Sequence, residues 1–97
     1  MSLSFLVESY WPGITESQAL AMGLRARDVA AESRRTGQEI RFVASYLVAT
    51  DEATLCLFEA GSLAVVEENC RRAELPYERI VPVVPIGVDP AFREPGC

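Results

Sequence analysis

The chain is predicted to be an α+β protein: a ferredoxin-like sandwich of order β-α-β-β-α-β, a four-stranded antiparallel sheet with two helices on one face. Three observations predict it. Short runs rich in branched and aromatic residues alternate with two stretches of helical periodicity. The stretch from Asp51 to Val84 reads strand, turn, helix, strand, and the residues before it repeat that plan with a longer helix. The 97 residues leave room for one core, so the elements must share it. A domain is expected over residues 1–84, followed by a tail over 85–97 that contains three prolines and two glycines.

Leu3 to Trp11 reads as the first strand and ends at Pro12-Gly13. Thr15 then has Gln18 three residues on, the pattern of a capping box, and Glu16 suits the positive end of a helix dipole. Ala19, Met22, Ala26, Val29 and Ser33 step by three and four, which gives the first helix one buried stripe. Arg34 and Arg35 fit its last turn and Gly37 its stop. Glu39 to Ala49 and Thr54 to Ala60 read as two strands joined into a hairpin through Thr50-Asp51-Glu52-Ala53, without an Asn-Gly signal to set the turn type. Ser62 caps the second helix, whose stripe is Leu63, Val66, Cys70 and Ala73. Glu67–Arg71 and Glu68–Arg72 are spaced for surface pairs on its other side. Leu75-Pro76 ends it, and Arg79 to Val84 forms the last strand, where Pro82 cannot donate to a ladder.

Composition excludes several functions. The net charge is -5 with no lysine, so a nucleic-acid partner is not expected. No apolar run reaches the roughly 20 residues of a membrane span. The opening MSLSFLVESYW has no basic leader, which leaves the cytoplasm as the expected compartment. Histidine is absent, which rules out Cys–His and Ser–His–Asp catalysis. Cys56, Cys70 and Cys97 form no CxxC. Cys56 and Cys70 fall at apolar positions and are expected to be buried. No cofactor is expected.

The sheet face away from the helices should be polar in a monomer, and it does not read as polar. Leu6 and Tyr10 alternate with Phe5 and Val7. Phe42, Ala44, Tyr46 and Val48 alternate with Val43, Ser45, Leu47 and Ala49. Leu55 and Leu57 alternate with Cys56 and Phe58. Hydrophobe alternating with hydrophobe implies burial on both sides, and a second copy is the economical cover. A homodimer of the α+β barrel type is therefore expected. Glu8 and Glu59 interrupt these strands. If their faces coincide, both point toward a cavity between the sheets. Otherwise each sits near a strand end, half solvated or paired with Arg41 or Arg79.

The residues also carry a resemblance. LCLFEAGSLAVVEENCRRAELPYERIVPV, from Leu55 to Val83, is similar to a small bacterial family of ferredoxin-like domains that includes a nickel-binding protein. The family's strand Phe-Cys-aromatic-Glu-Ala and its helix end Arg-Arg-Ala-Gly-Leu-Pro become Leu55-Cys56-Leu57-Phe58-Glu59-Ala60 and Arg71-Arg72-Ala73-Glu74-Leu75-Pro76 here. FLVESYWPGIT and RFVASYLV, with Ser45 and Tyr46, resemble its first two strands. The resemblance implies the fold and the dimer. It also implies histidines where this chain has Ala44 and Asn69, so nickel, which imidazole suits, is not expected to be held well. The carboxylates that remain would favour hard cations such as magnesium or calcium, and weakly.

The reading that follows is a non-catalytic dimer binding a small molecule. Glu8, Tyr10, Phe42, Tyr46, Leu57 and Glu59 are the candidate ligand-binding residues, with Trp11 and Leu55 in the same lining. Two other readings remain open. In one, an enzyme uses Glu8 or Glu59 as general base and Tyr46 as proton donor. In the other, a structural or regulatory module uses the tail, where Phe92 would dock on the body or on a partner.

Overall fold

A computed structural model describes residues 2–87. Phe92 and Cys97 lie outside the described residues. The elements run β1 (Leu3–Tyr10), α1 (Glu16–Arg35), β2 (Ile40–Val48), a 3-10 turn (Ala49–Asp51), β3 (Ala53–Ala60), α2 (Leu63–Arg72) and β4 (Arg79–Val83). They form one antiparallel sheet of order β2-β3-β1-β4. The two consecutive middle strands, β2 and β3, make a hairpin, and each helix carries the chain across between consecutive strands that are not neighbours in the sheet. This is the expected ferredoxin-like arrangement.

Both helices share one core with the sheet. Phe5, Val7, Cys56, Phe58 and Ala60 meet Met22, Ala26 and Ala30 of α1 and Val66 and Cys70 of α2 in a single buried cluster. The α1 stripe matches the expected spacing, with Gly23 and Ala30 added to its buried centre and Ala19 and Val29 only half-buried at its margins. Leu63 was expected in the α2 stripe, but it is exposed. Asn69 is buried beside Val66 and Cys70 instead.

The helix ends follow the local chemistry. The Gln18 N–H donates to Thr15 Oγ1 at 3.1 Å, and the Thr15 N–H donates back to Gln18 Oε1 at 2.9 Å, completing the capping box. Two of the α1 end carbonyls are taken by Gly37 N–H (to Arg34 O) and Gln38 N–H (to Ser33 O), with Gly37 at φ 98°. The end of α2 has the same bonds, Glu74 N–H to Arg71 O and Leu75 N–H to Cys70 O, but the left-handed residue there is Glu74, at φ 54°.

The helix-surface pairs differ from the i,i+4 expectation. Arg71 donates Nε to Glu68 Oε1 at 3.0 Å, an i,i+3 pair. Arg72 turns away from Glu68 to α1, where it meets Glu32 and donates to Ser33 Oγ at 2.9 Å. A contact that ties the two helices together wins over one along a single helix surface.

One irregularity resets the second strand. Phe42 pairs with Phe58 and Ala44 with Leu57, so Val43 is the extra residue of a β-bulge. Before the bulge, even-numbered residues face the helices; after it, odd-numbered ones do. Phe42 and Ser45 both lie against Gly23 of α1, which fixes them on the helix side. Ala44 and Tyr46 are therefore on the opposite side from Phe42, although plain alternation puts all three together.

Candidate functional site

Cross-strand register sorts the open face of the sheet into rows running from β2 to β4. The first is Arg41, Glu59, Ser4, Val83. The second is Ala44, Leu57, Leu6, Val81. The third is Tyr46, Leu55, Glu8, Arg79, and the last is Val48, Ala53, Tyr10. The second row is wholly apolar, and Leu55 continues it into the third. The face thus has a greasy centre with a charge pair at each end.

Those pairs decide what the two glutamates do. Glu8 and Glu59 do share a face, two rows apart, which is roughly 13 Å along the strands. Each is held by an arginine. Arg79 Nε donates to Glu8 Oε1 at 2.9 Å, and Arg41 donates to Glu59 Oε1 through Nε at 3.2 Å and Nη2 at 2.8 Å. The carboxylates are about one-third exposed, at 29% and 35%, so they are neither stranded in an apolar pocket nor loose in water. Opposite charges directly across a strand pair are favourable, and the arginines satisfy the acids where they stand.

The structure brings five of the six candidate residues together: Glu8, Tyr10, Tyr46, Leu57 and Glu59 are on the open face. Tyr10 and Tyr46 are both 56% exposed there. Phe42 is not among them. Its ring packs edge-on against Phe58 at 5.3 Å between centroids, inside the helix-side core, because the bulge at Val43 turns it over. Phe42 therefore leaves the candidate lining, and Ala44 takes its place beside Leu57. Trp11 follows the last residue of β1, where its N–H donates to Glu52 O at 2.9 Å.

Ala44 and Asn69 lie on opposite sides of the sheet. Asn69 is buried between the helices and donates Nδ2 to Ala26 O at 3.3 Å, leaving its Oδ1 without a partner among the described residues. One chain alone does not bring these two positions into a single site. The burial of Asn69 was legible in its spacing, three residues after Val66 and four before Ala73.

This arrangement defines a small ferredoxin-like α+β domain with one apolar, charge-flanked sheet face left uncovered by its own helices. The profile of the nickel responsive, SCO4226-like proteins matches residues 5–83, and the chain belongs to that family. The chain is also similar to the crystal structure of SCO4226 from Streptomyces coelicolor A3(2), with a TM-score of 0.70 at 20% identity. The match covers 82% of this chain and 94% of that one. At that identity the likeness shows the fold. No curated protein sequence matches the chain.

The family description raises the question of a metal. The chain has no histidine, and among the described residues no three of Cys, Asp and Glu come together. Cys56 and Cys70 are buried, and burial pushes their thiols up to about 11 and about 12, against thiolate ligation. The sheet-face carboxylates already hold guanidinium groups. These donors do not fit nickel, which favours imidazole and thiolate sets. No helix among the described residues is long and apolar enough to cross a membrane.

Proposed function

We propose that the protein is a cytoplasmic homodimer in which two open sheet faces pack together around a mostly apolar cavity that holds a small molecule. Nickel binding in this reading is weak or absent, and no nucleic acid or membrane takes part. The single observation that carries it is the row Ala44, Leu57, Leu6, Val81, bordered by Leu55, on a face that neither helix covers. Four strands about 4.8 Å apart and rows about 6.7 Å apart give that face roughly 450 Å2 in projection, and side-chain relief adds to it. That area includes both Arg–Glu pairs, so the face has the anatomy of an interface, an apolar centre inside a polar rim. A second copy supplies a matching patch, approaching the about 800 Å2 per partner of a stable interface. Glu8 and Glu59 favour the same reading because they bring their own counter-ions, so burying the face strands no charge.

As partners of arginines, both glutamates act as counter-ions rather than general bases, and no observation favours the enzymatic reading. Light scattering on Leu57→Arg tests the dimer: the mass should fall from twice 10.7 kDa to 10.7 kDa. A wild-type chain that is already monomeric at micromolar concentration overturns it. Native mass spectrometry of untreated protein tests the cavity, where the expected result is a dimer carrying a retained small molecule. A thermal-shift panel of divalent cations tests the metal, and a rise specific to nickel would show the donor argument to be wrong.

A further inference from the structure

Two apolar features stand at opposite ends of the sheet, and the described residues cover neither. At the end where β1 finishes, Tyr10, Trp11 and Pro12 meet Met22 and Pro76 around a cleft of about 390 Å3. Arg25 also lines it, with its guanidinium held on Ala73 O and Glu74 O at the end of α2. At the other end, β4 gives way to residues 84–86, a segment outside the sheet made of Val84, Pro85 and Ile86. Val84 is 82% exposed and Ile86 84% exposed. Branched apolar side chains gain most from leaving water, and here two of them flank a proline in nearly full contact with it.

The two features match in chemistry. Grooves walled by tryptophan, tyrosine and proline take extended, proline-containing segments, whose backbone is already stiff. Residues 84–86 cannot make that match in their own chain. β4 is antiparallel to β1, with Val83 opposite Ser4 and Arg79 opposite Glu8, so the chain leaves β4 pointing away from Trp11. Ser4 and Tyr10 are six residues apart in β1, roughly 20 Å along the strand. A second copy brings the two ends together. When a two-fold axis runs across the strands at the centre of the open face, the row Arg41, Glu59, Ser4, Val83 of one copy lies over the row Val48, Ala53, Tyr10 of the other. Leu57 then stacks on Leu55 of the other copy, and each Arg–Glu pair meets aliphatic side chains rather than like charges. Residues 84–86 run on past the end of the other copy's β1, where Trp11 stands.

We propose that residues 84–86 of each copy dock in the Trp11 cleft of the other, as a pair of reciprocal arms that clasp the dimer. The clasp rests on the face-to-face dimer and adds to it. The open face offers roughly 450 Å2 in projection, short of the about 800 Å2 per partner of a stable interface, and two docked arms add area at both ends. The contact is isologous, arm to cleft and cleft to arm, so it closes the pair and leaves no arm free to recruit a third chain.

Trp11 is the single tryptophan, so its fluorescence reads the cleft directly. The test is acrylamide quenching of the full chain at a concentration where light scattering gives the dimer mass. Docked arms should shield Trp11 in the wild-type dimer, and the monomeric Leu57→Arg should expose it. Ile86→Asp changes a side chain that its own chain leaves in water, so the fold should be kept. That variant should raise the dissociation constant of the dimer about tenfold or more. While still dimeric it should be quenched more strongly than wild type. Quenching of dimeric Ile86→Asp no stronger than that of wild type would overturn the clasp and leave the dimer standing. A wild-type chain of monomer mass would overturn both.

Discussion

Glu74 is held where a side chain is a burden. Its φ of 54° lies in the left-handed region, at the position after a helix where glycine is favoured because it has no Cβ to crowd the carbonyl. Gly37 fills the equivalent position after α1 at φ 98°, with open space around it. The two therefore predict opposite outcomes. Glu74→Gly should stabilise the fold by about 1 kcal/mol, and Gly37→Ala should cost a similar amount, since neither change disturbs packing. Urea unfolding at constant slope checks both, and a loss of stability in Glu74→Gly would show that its side chain makes a contact worth more than the strain. The two buried thiols predict a pH effect. Burial raises both above their unfolded value of 9.0, to about 11 for Cys56 and about 12 for Cys70. Between those limits the native state holds protons that the unfolded chain gives up, so stability is full below pH 9 and falls as pH rises through 11 to 12. In a Cys97→Ser background neither thiol should react with a disulfide reagent at pH 8 until urea is added. Prompt labelling of the native protein would contradict their burial.

At the scale of the elements, the carbonyl end of α2 depends on α1. Arg25 donates Nε to Ala73 O at 3.1 Å and reaches Glu74 O at 3.5 Å, placing a cation on the negative end of the α2 dipole. Arg25→Ala should therefore cost about 1 kcal/mol in denaturant unfolding. Arg27→Ala, whose partner Asp28 is exposed, should stay within about 0.5 kcal/mol and serves as the control. Contacts of this kind were not legible in the sequence, because Arg25 and Ala73 are 48 residues apart. What was legible was local. The capping box at Thr15, the stop at Gly37 and the Ser62 cap each involve residues three or four positions apart, and all three formed. The bulge at Val43 was hidden for a different reason. Residues 42 to 48 are apolar or small on both faces, so the alternation carries no polar marker to show where its phase changes. That is why Phe42 was expected on the open face while Leu57 and Tyr46 were placed there correctly. The spacing puts each glutamate on the face of its own strand's leucines, Glu8 with Leu6 and Glu59 with Leu57, and leaves open whether the two faces coincide, which the β1–β3 register decides. Which arginine each would take depended on strand order, over separations of 18 and 71 residues.

For the molecule as a whole, the edges and the face of the sheet have been treated differently. Both edge strands are blunted against pairing with another chain: β4 is five residues long and contains Pro82, and β2 carries the bulge at Val43. The open face has no such protection at its centre, where Leu6, Leu55, Leu57 and Val81 are only half-buried. A chain protected from edge-to-edge aggregation but not from face-to-face contact is suited to closed two-fold assembly rather than to fibres. Assembly of that kind has a thermodynamic signature that a monomer lacks. Folding and association are then linked, so each tenfold rise in protein concentration should add about 1.4 kcal/mol per mole of dimer to the apparent stability. The urea midpoint of the wild-type chain should accordingly climb across a concentration series, while that of Leu57→Arg stays level. A wild-type midpoint that holds constant over two decades of concentration would mean that the open face is wetted in the folded state, and the enclosed cavity would go with it.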